Sequence, residues 1–134
     1  MPTSSRFTID GPVDVELARR RGRALARSVG FGPVESEAVA LSISELAANL
    51  LRYARSGSIL LAAIEESDRR GVRIESRDTG PGISDIERAL RGGYRTTHSL
   101  GSGIAGVRRL MDDFAIESGP TGTVIVTQKW IARR

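Results

Sequence analysis

The sequence predicts a two-layer α/β sandwich: a mixed, mainly antiparallel sheet with helices on one face. Three observations lead there. Segments of strand character come in neighbouring pairs and do not alternate strictly with helices. Two long segments repeat apolar residues at helical spacing. Glycine- and proline-rich turns separate the elements. At 134 residues the chain is expected to form a single domain, 1–134, since a domain takes roughly 150 residues. A core of that size needs no disulfide or metal staple.

Arg6 to Ile9 starts the chain as a short strand, ended by the turn Asp10-Gly11-Pro12. Val13 to Val29 follows as a helix. Its apolar positions Val13, Leu17, Ala24, Leu25 and Val29 fall near helical spacing, and its arginines point elsewhere. Gly30 and Gly32 break it. Pro33 suits the first turn of a second helix, where Glu35 and Glu37 meet the positive end of the dipole, and this helix is expected to run to about Ala54. Ser58–Glu66 and Val72–Asp78 read as strands joined by the polar segment Ser67 to Gly71, an antiparallel hairpin. A short helix is expected from about Ser84 to Arg91. Gly92 to Gly103 holds four glycines and one strongly apolar residue, Leu100, which predicts a mobile loop. A third long segment, Gly103 to Asp113, is helical and buries Ile104, Val107, Leu110 or Met111, and then Phe114. Phe114–Ser118 and Thr123–Trp130 close the chain as two strands around Gly119-Pro120-Thr121-Gly122.

Composition excludes several classes. Cysteine is absent, which removes disulfides, thiolate zinc sites and cysteine nucleophiles. The longest strongly apolar run, Ile59 to Ile64, is too short to span a bilayer, and the N-terminus has no export signal, so a cytoplasmic protein without membrane contact is expected. The net charge is +4, with 20 basic and 16 acidic residues. Every basic residue but Lys129 is arginine. The arginines are interleaved with acids, and the cluster Arg19, Arg20, Arg21, Arg23 and Arg27 reads as solvated helix face rather than a nucleic-acid interface. Lys129 lies in Thr-Gln-Lys-Trp near the C-terminus, which fits neither a P-loop nor the early-strand lysine of common protein kinases.

Three constellations carry candidate chemistry. In the second helix Val39, Ile43, Leu46, Leu50 and Tyr53 are spaced four, three, four and three apart and form the core stripe. Glu45 and Asn49 project together roughly 80° to 120° to one side of it, with Ser42 nearby. A carboxylate and an amide one turn apart supply a base and a hard oxygen ligand for Mg²⁺. Taken alone, the pair also describes two polar residues on a solvated flank. Asp78-Thr79-Gly80-Pro81-Gly82-Ile83 ends a strand with an acid and two glycines. An ionised carboxylate only accepts hydrogen bonds, which suits an exocyclic amine such as adenine N6, and the glycines let a flat ring approach the backbone. The same residues also describe a plain strand-to-helix turn. Gly101-Ser102-Gly103-Ile104-Ala105-Gly106 places glycines before a helix, where free N–H groups favour phosphate. It matches G-x-G-x-x-G, but no strand precedes it: Arg95-Thr96-Thr97-His98-Ser99 is polar, so the dinucleotide reading is rejected. Arg95 and His98 could each meet phosphate charge from this loop.

In this order the three motifs resemble the GHKL ATP-binding superfamily. Ser44-Glu45-Leu46-Ala47-Ala48-Asn49 is similar to its asparagine box, Asp78-Thr79-Gly80-Pro81-Gly82 to its first glycine box, Gly101-Ser102-Gly103 to its second, and Gly122-Thr123 to its terminal glycine-threonine element. The resemblance implies a Bergerat-type ATP-binding fold. No phosphoacceptor-histidine helix precedes the motifs, and Gly106 to Phe114 and Gly122 to Trp130 look most like the small RsbT-type switch kinases of bacterial partner-switching systems.

By that resemblance ATP and Mg²⁺ bind under a lid at Gly92 to Gly103. Glu45 is the catalytic base, and Asn49 holds the metal. Asp78 takes the adenine amine, while Gly80, Gly82, Gly101, Ser102, Gly103 and Thr123 line the nucleotide. Ser99 and Leu100 stand where relatives often carry a glycine or a basic residue, which leaves Arg95 as the nearest cation for the γ-phosphate. The implied activity is an ATP-dependent protein serine/threonine kinase acting on a STAS-domain antagonist and, once released, activating a PPM-type phosphatase. A stress or sigma-factor pathway and a stressosome-type assembly complete the expectation. The alternatives are an anti-sigma factor binding a sigma factor directly, and a non-catalytic ATP-gated binding module.

Overall fold

The computed structural model describes residues 4–53, 57–80 and 103–132. Five strands, β1 (Ser4–Thr8), β2 (Gly57–Glu65), β3 (Arg69–Asp78), β4 (Asp113–Gly119) and β5 (Gly122–Ala132), form one sheet in the order β1-β2-β3-β5-β4. Every pairing among them is antiparallel, so the mixed sheet expected from sequence becomes a wholly antiparallel one among the described strands. The β4–β5 hairpin enters so that its second strand lies beside β3, which leaves β4 at the edge. Three helices, α1 (Pro12–Val29), α2 (Pro33–Tyr53) and α3 (Ile104–Leu110), complete the described elements. α1 and α2 pack on β2 and β3, and α3 packs on α2. The short helix expected at Ser84 to Arg91, and the loop Gly92 to Gly103 apart from its last residue, lie outside the described residues.

Alternation along the strands divides the sheet. Ile59 and Leu61 of β2, Val72 and Ile74 of β3 and Ile125 of β5 are buried toward the helices, where they meet Val39, Ile43, Leu46 and Leu50 of α2. The core stripe read from the α2 sequence is therefore the buried stripe from Val39 to Leu50. α1 differs from its sequence reading. Val13 and Leu17 are 71% and 48% exposed, and the buried face is Ala18, Gly22, Leu25 and Ala26. Helices that approach closely select small residues, and a count of large apolar side chains misses them. Four of the five arginines of α1 are engaged: Arg19 and Arg20 pair with Glu16, Arg21 donates to Ser5 Oγ at 3.3 Å, and Arg23 donates to Glu37 across the α1–α2 seam at 2.5 Å. The Arg23 guanidinium holds the Glu37 carboxyl below its ordinary range.

α1 begins where Asp14 Oδ2 accepts the N–H groups of Asp10 and Gly11 at 2.9 and 3.1 Å, which satisfies donors at the helix start. Its far end is held from the sheet. Half-buried Arg70 of β3 donates from Nε to the Val29 carbonyl at 2.5 Å, a cation on the negative end of the dipole. Arg70→Met is expected to cost about 1–2 kcal/mol, read as a lower urea midpoint at unchanged slope. An unchanged midpoint would show that the bond is silent.

α3 ends at Leu110, three residues short of the sequence expectation, and Met111 rather than Leu110 is buried. Strand β5 takes over the backbone there. Lys129 Nζ donates to the Leu110 carbonyl at 2.8 Å, Asp112 N–H donates to Gln128 O at 2.9 Å, and Trp130 N–H donates to Asp112 Oδ2 at 2.8 Å. The chain's one lysine is thus a C-terminal cap of α3. Trp130 lies half-buried on the sheet face away from the helices, with the Arg69 guanidinium 3.8 Å from its ring centre and its Nε1 donating to Asp113. Among the described residues no helix is long and apolar enough to cross a membrane.

Candidate functional site

The site grows from one edge of α2 and one end of the sheet. Ser42, Glu45 and Asn49 share a stripe beside the core face of α2. Ser42 is fully buried, Glu45 is 4% exposed and Asn49 is half-buried. Glu45 is therefore no resident of a solvated flank. A carboxylate is rarely buried this deeply without a task or a partner.

Leu50 ties this helix edge to the sheet. A side chain at Gly57 would come within 2.6 Å of the Leu50 methyl groups, so α2 sits directly on the first residue of β2. Gly57 in turn pairs with Asp78 in the β2–β3 register. The turn of α2 that carries Asn49 thus lies against the end of β3 that carries Asp78, although 29 positions separate them in the chain.

Asp78 is held by two backbone donors. Its Oδ1 accepts Gly80 N–H at 2.9 Å, which fixes the turn into the first glycine motif, and Thr123 N–H of β5 at 3.2 Å. Among the described residues no donor meets Oδ2. Thr123 is 6% exposed, and its hydroxyl is 2.6 Å from that of Ser118, its cross-strand partner on β4. Gly122, with φ +146°, makes this possible: a Cβ there would stand 2.1 Å from the Asp78 carbonyl oxygen. The result is a row of polar side chains, Ser118, Thr123 and Asp78, running across three strands on the helix-facing side of one sheet end.

Gly103 caps α3 with φ +65° and is buried. Because α3 packs on α2, this residue belongs to the same side of the sheet as Glu45 and Asn49. The described structure therefore joins Asp78, Gly80 and Thr123 by hydrogen bonds, and places Glu45, Asn49 and Gly103 on the helices that cover that face of the sheet. Gly82, Arg95, Gly101 and Ser102 lie outside the described residues, as does His98. A cleft of about 450 Å³ opens at this sheet end, lined by Asp78, Ser118 and Gly122 together with Arg77, Glu117 and Val124, and neither Glu45 nor Asn49 lines it.

Two features escaped the sequence reading. The polar end of the inward-facing row Phe114, Ile116, Ser118 was visible as an alternation that stops being apolar, and it could have flagged Ser118. The Leu50–Gly57 contact had no sequence signal, since it depends on how α2 lies on the sheet.

A buried carboxylate and a half-buried amide lie one turn apart on α2, and a backbone-held aspartate ends β3 on the sheet face that the helices cover. The comparisons define the class: residues 10–129 match the histidine kinase-like ATPase domain, and the chain belongs to this family. Within it, the chain is 40% identical over 119 residues to the serine/threonine-protein kinase RsbT of Bacillus subtilis (strain 168), covering 88% of this chain and 90% of that one. The chain is a member of the RsbT-type serine/threonine-protein kinases, ATP-using enzymes of the partner-switching kind. Solved structures share the fold. A Mycobacterium tuberculosis chain with RsbU and RsbW domains aligns over the whole of this chain and 34% of its own length, with TM-score 0.67 and 19% identity. The histidine kinase domain of a blue-light activated kinase from Erythrobacter litoralis aligns over 87% of this chain and 63% of its own, with TM-score 0.54 and 20% identity.

Proposed function

We propose that this chain, working as one kinase domain over 1–134, transfers the γ-phosphoryl group of ATP to a serine or threonine of a STAS-domain antagonist. The observation that carries the reading is the burial of Glu45 one turn from Asn49, on the helix whose Leu50 sits on Gly57, the cross-strand partner of Asp78. In this reading Glu45 takes the proton from the attacking hydroxyl. The oxygen then bonds to the γ-phosphorus as the bond to the β–γ bridging oxygen breaks, and ADP departs.

Asp78 Oδ2 accepts the adenine amine, while Gly80, Gly82 and Thr123 border the base. Gly101, Ser102 and Gly103 supply backbone N–H groups to the phosphates, and Arg95 supplies a cation. The donor set fits Mg²⁺ carried in with the nucleotide. Asn49 offers one hard amide oxygen, and among the described residues no group of three His, Asp or Glu side chains could cage an ion alone. The metal, when bound, neutralises phosphate charge.

Phosphorylation adds nearly two negative charges to the antagonist, which weakens the docked interface by repulsion and desolvation. The freed kinase then activates a PPM-type phosphatase, within a stress or sigma-factor pathway and a stressosome-type assembly in the cytoplasm.

The test is incubation with γ-labelled ATP, Mg²⁺ and the cognate STAS-domain protein. Label on a serine or threonine of that partner is expected. ATP binding without any label would move the chain to an ATP-gated binding module. Asp78→Asn checks the nucleotide site separately: replacing half the acceptor chemistry with a donor is expected to weaken ATP binding at least tenfold, about 1.4 kcal/mol. Unchanged affinity would remove Asp78 from the site.

A further inference from the structure

The hydroxyl of Ser118 has no part in the chemistry described so far, yet it makes a short contact with the residue that holds Asp78. Its oxygen is 2.6 Å from Thr123 Oγ1, and Thr123 N–H is 3.2 Å from Asp78 Oδ1. The geometry points to Ser118 as a specificity-determining positioning residue that makes the site read adenine and reject guanine. The inference rests on the reading of Asp78 as the acceptor for the base.

A carboxylate can only accept a hydrogen bond, so Asp78 has one fixed preference. A hydroxyl has one proton and two lone pairs, and on its own it adapts to whatever faces it. Adenine presents its amino donor beside the ring N1 acceptor, while guanine presents the O6 acceptor beside an N1–H donor. A rigid acceptor next to a rigid donor therefore matches adenine and mismatches guanine at both positions. Asp78 is the acceptor. Thr123 is held as a donor toward the base when a neighbour on β4 donates to one of its two lone pairs, because its single proton then has no partner on that side.

Ser118 can do this. At 2.6 Å one of the two hydroxyls must donate to the other. When Ser118 donates to Thr123 Oγ1, the single proton of Thr123 turns to the side of the sheet that Asp78 faces. In the opposite sense Thr123 would offer lone pairs alone and would accept guanine N1–H.

The surroundings keep the pair from drifting apart. Ser118 and Thr123 are directly opposed in the β4–β5 register, one step from the Gly119–Gly122 closure of the hairpin. The Thr123 backbone is committed to Asp78, and the approach at Gly122 leaves no slack between β5 and the end of β3. Thr123 is 6% exposed, so water competes poorly for the mismatched groups of a wrong base. Sites built to hydrogen-bond a particular group discriminate far more sharply than apolar pockets do.

The experiment is calorimetric titration of ADP and GDP, each with Mg²⁺, into the full chain and its variants, which avoids turnover. The unsubstituted chain is expected to prefer ADP by about a hundredfold or more. Ser118→Ala leaves Thr123 free to turn, and the ADP/GDP preference is expected to narrow at least tenfold, chiefly through a gain in GDP affinity. Ser118→Thr retains the hydroxyl and is expected to keep the preference within about threefold. Should Ser118→Ala fail to fold, Thr123→Val removes the donor itself and must narrow the preference likewise.

A preference in Ser118→Ala within twofold of the starting value would overturn the inference while leaving the ATP site standing. Unchanged ADP affinity in Asp78→Asn would show that the base is read elsewhere, and the role of Ser118 would fall with that reading.

Discussion

Glu45→Ala is expected to lower phosphoryl transfer by about a hundredfold to ten-thousandfold, the range a positioned general base contributes, while ATP affinity stays within about threefold. The separation follows from where Glu45 sits. It is on the helix stripe that also carries Asn49, but the groups proposed to hold the nucleotide come from the ends of β3 and β5 and from the start of α3. Removing the carboxylate leaves Asp78 and its two backbone donors intact.

At 4% exposure the Glu45 side chain fills buried space, so the urea midpoint of each variant is measured beside its activity. Glu45→Gln sharpens the test, because an amide of nearly the same shape fills the same space and cannot take the proton. Single-turnover transfer to the partner, paired with a nucleotide titration, reads both quantities. Transfer at the starting rate in either variant would overturn the base assignment. Loss of ATP binding together with transfer would instead make Glu45 part of the nucleotide site.

Gly122→Ala is the second large effect, acting on stability and nucleotide binding together. The backbone φ of +146° disfavours any side chain, and the added Cβ would stand 2.1 Å from the Asp78 carbonyl oxygen. The obstacle is main chain, so no rotamer change relieves it. β5 must move away from the end of β3, which pulls Thr123 N–H from Asp78 Oδ1. A loss of about 2–4 kcal/mol is expected from the strained conformation and the clash combined, with at least a tenfold loss of ATP affinity.

Gly119→Ala is the matched control. It faces Gly122 across the same turn, but a Cβ there meets nothing within 4 Å, and its cost is expected to stay within about 0.5 kcal/mol. Urea unfolding of the two variants side by side decides the matter. Equal stability would show that the hairpin end yields more easily than the close approach implies.

The legible part of this protein was local. The stripe Val39, Ile43, Leu46 and Leu50 could be read because helical spacing is a relation between near neighbours, and the Gly119 to Gly122 turn could be read because turn chemistry is held in four residues. The motifs carrying Glu45, Asn49 and Asp78 are equally compact. α1 shows where this stops. Its large apolar residues Val13 and Leu17 face solvent, while Ala18, Gly22 and Ala26 are buried and Gly22 lies against Ile43 of α2, because the spacing between two helices decides which side chains fit.

The sequence by itself determined the class of fold, the order of the described helices and strands, and the family to which the motifs belong. Tertiary structure alone decided that α3 stops at Leu110 under the grip of Lys129, and that Asn49 lies against the strand end bearing Asp78. It also decided that Ser118 reaches Asp78 through Thr123. The physical reason is separation along the chain. Thr123 N–H reaches Asp78 across 45 positions only because β5 lies between β3 and β4 in the sheet, and no periodicity within a segment encodes which strands become neighbours.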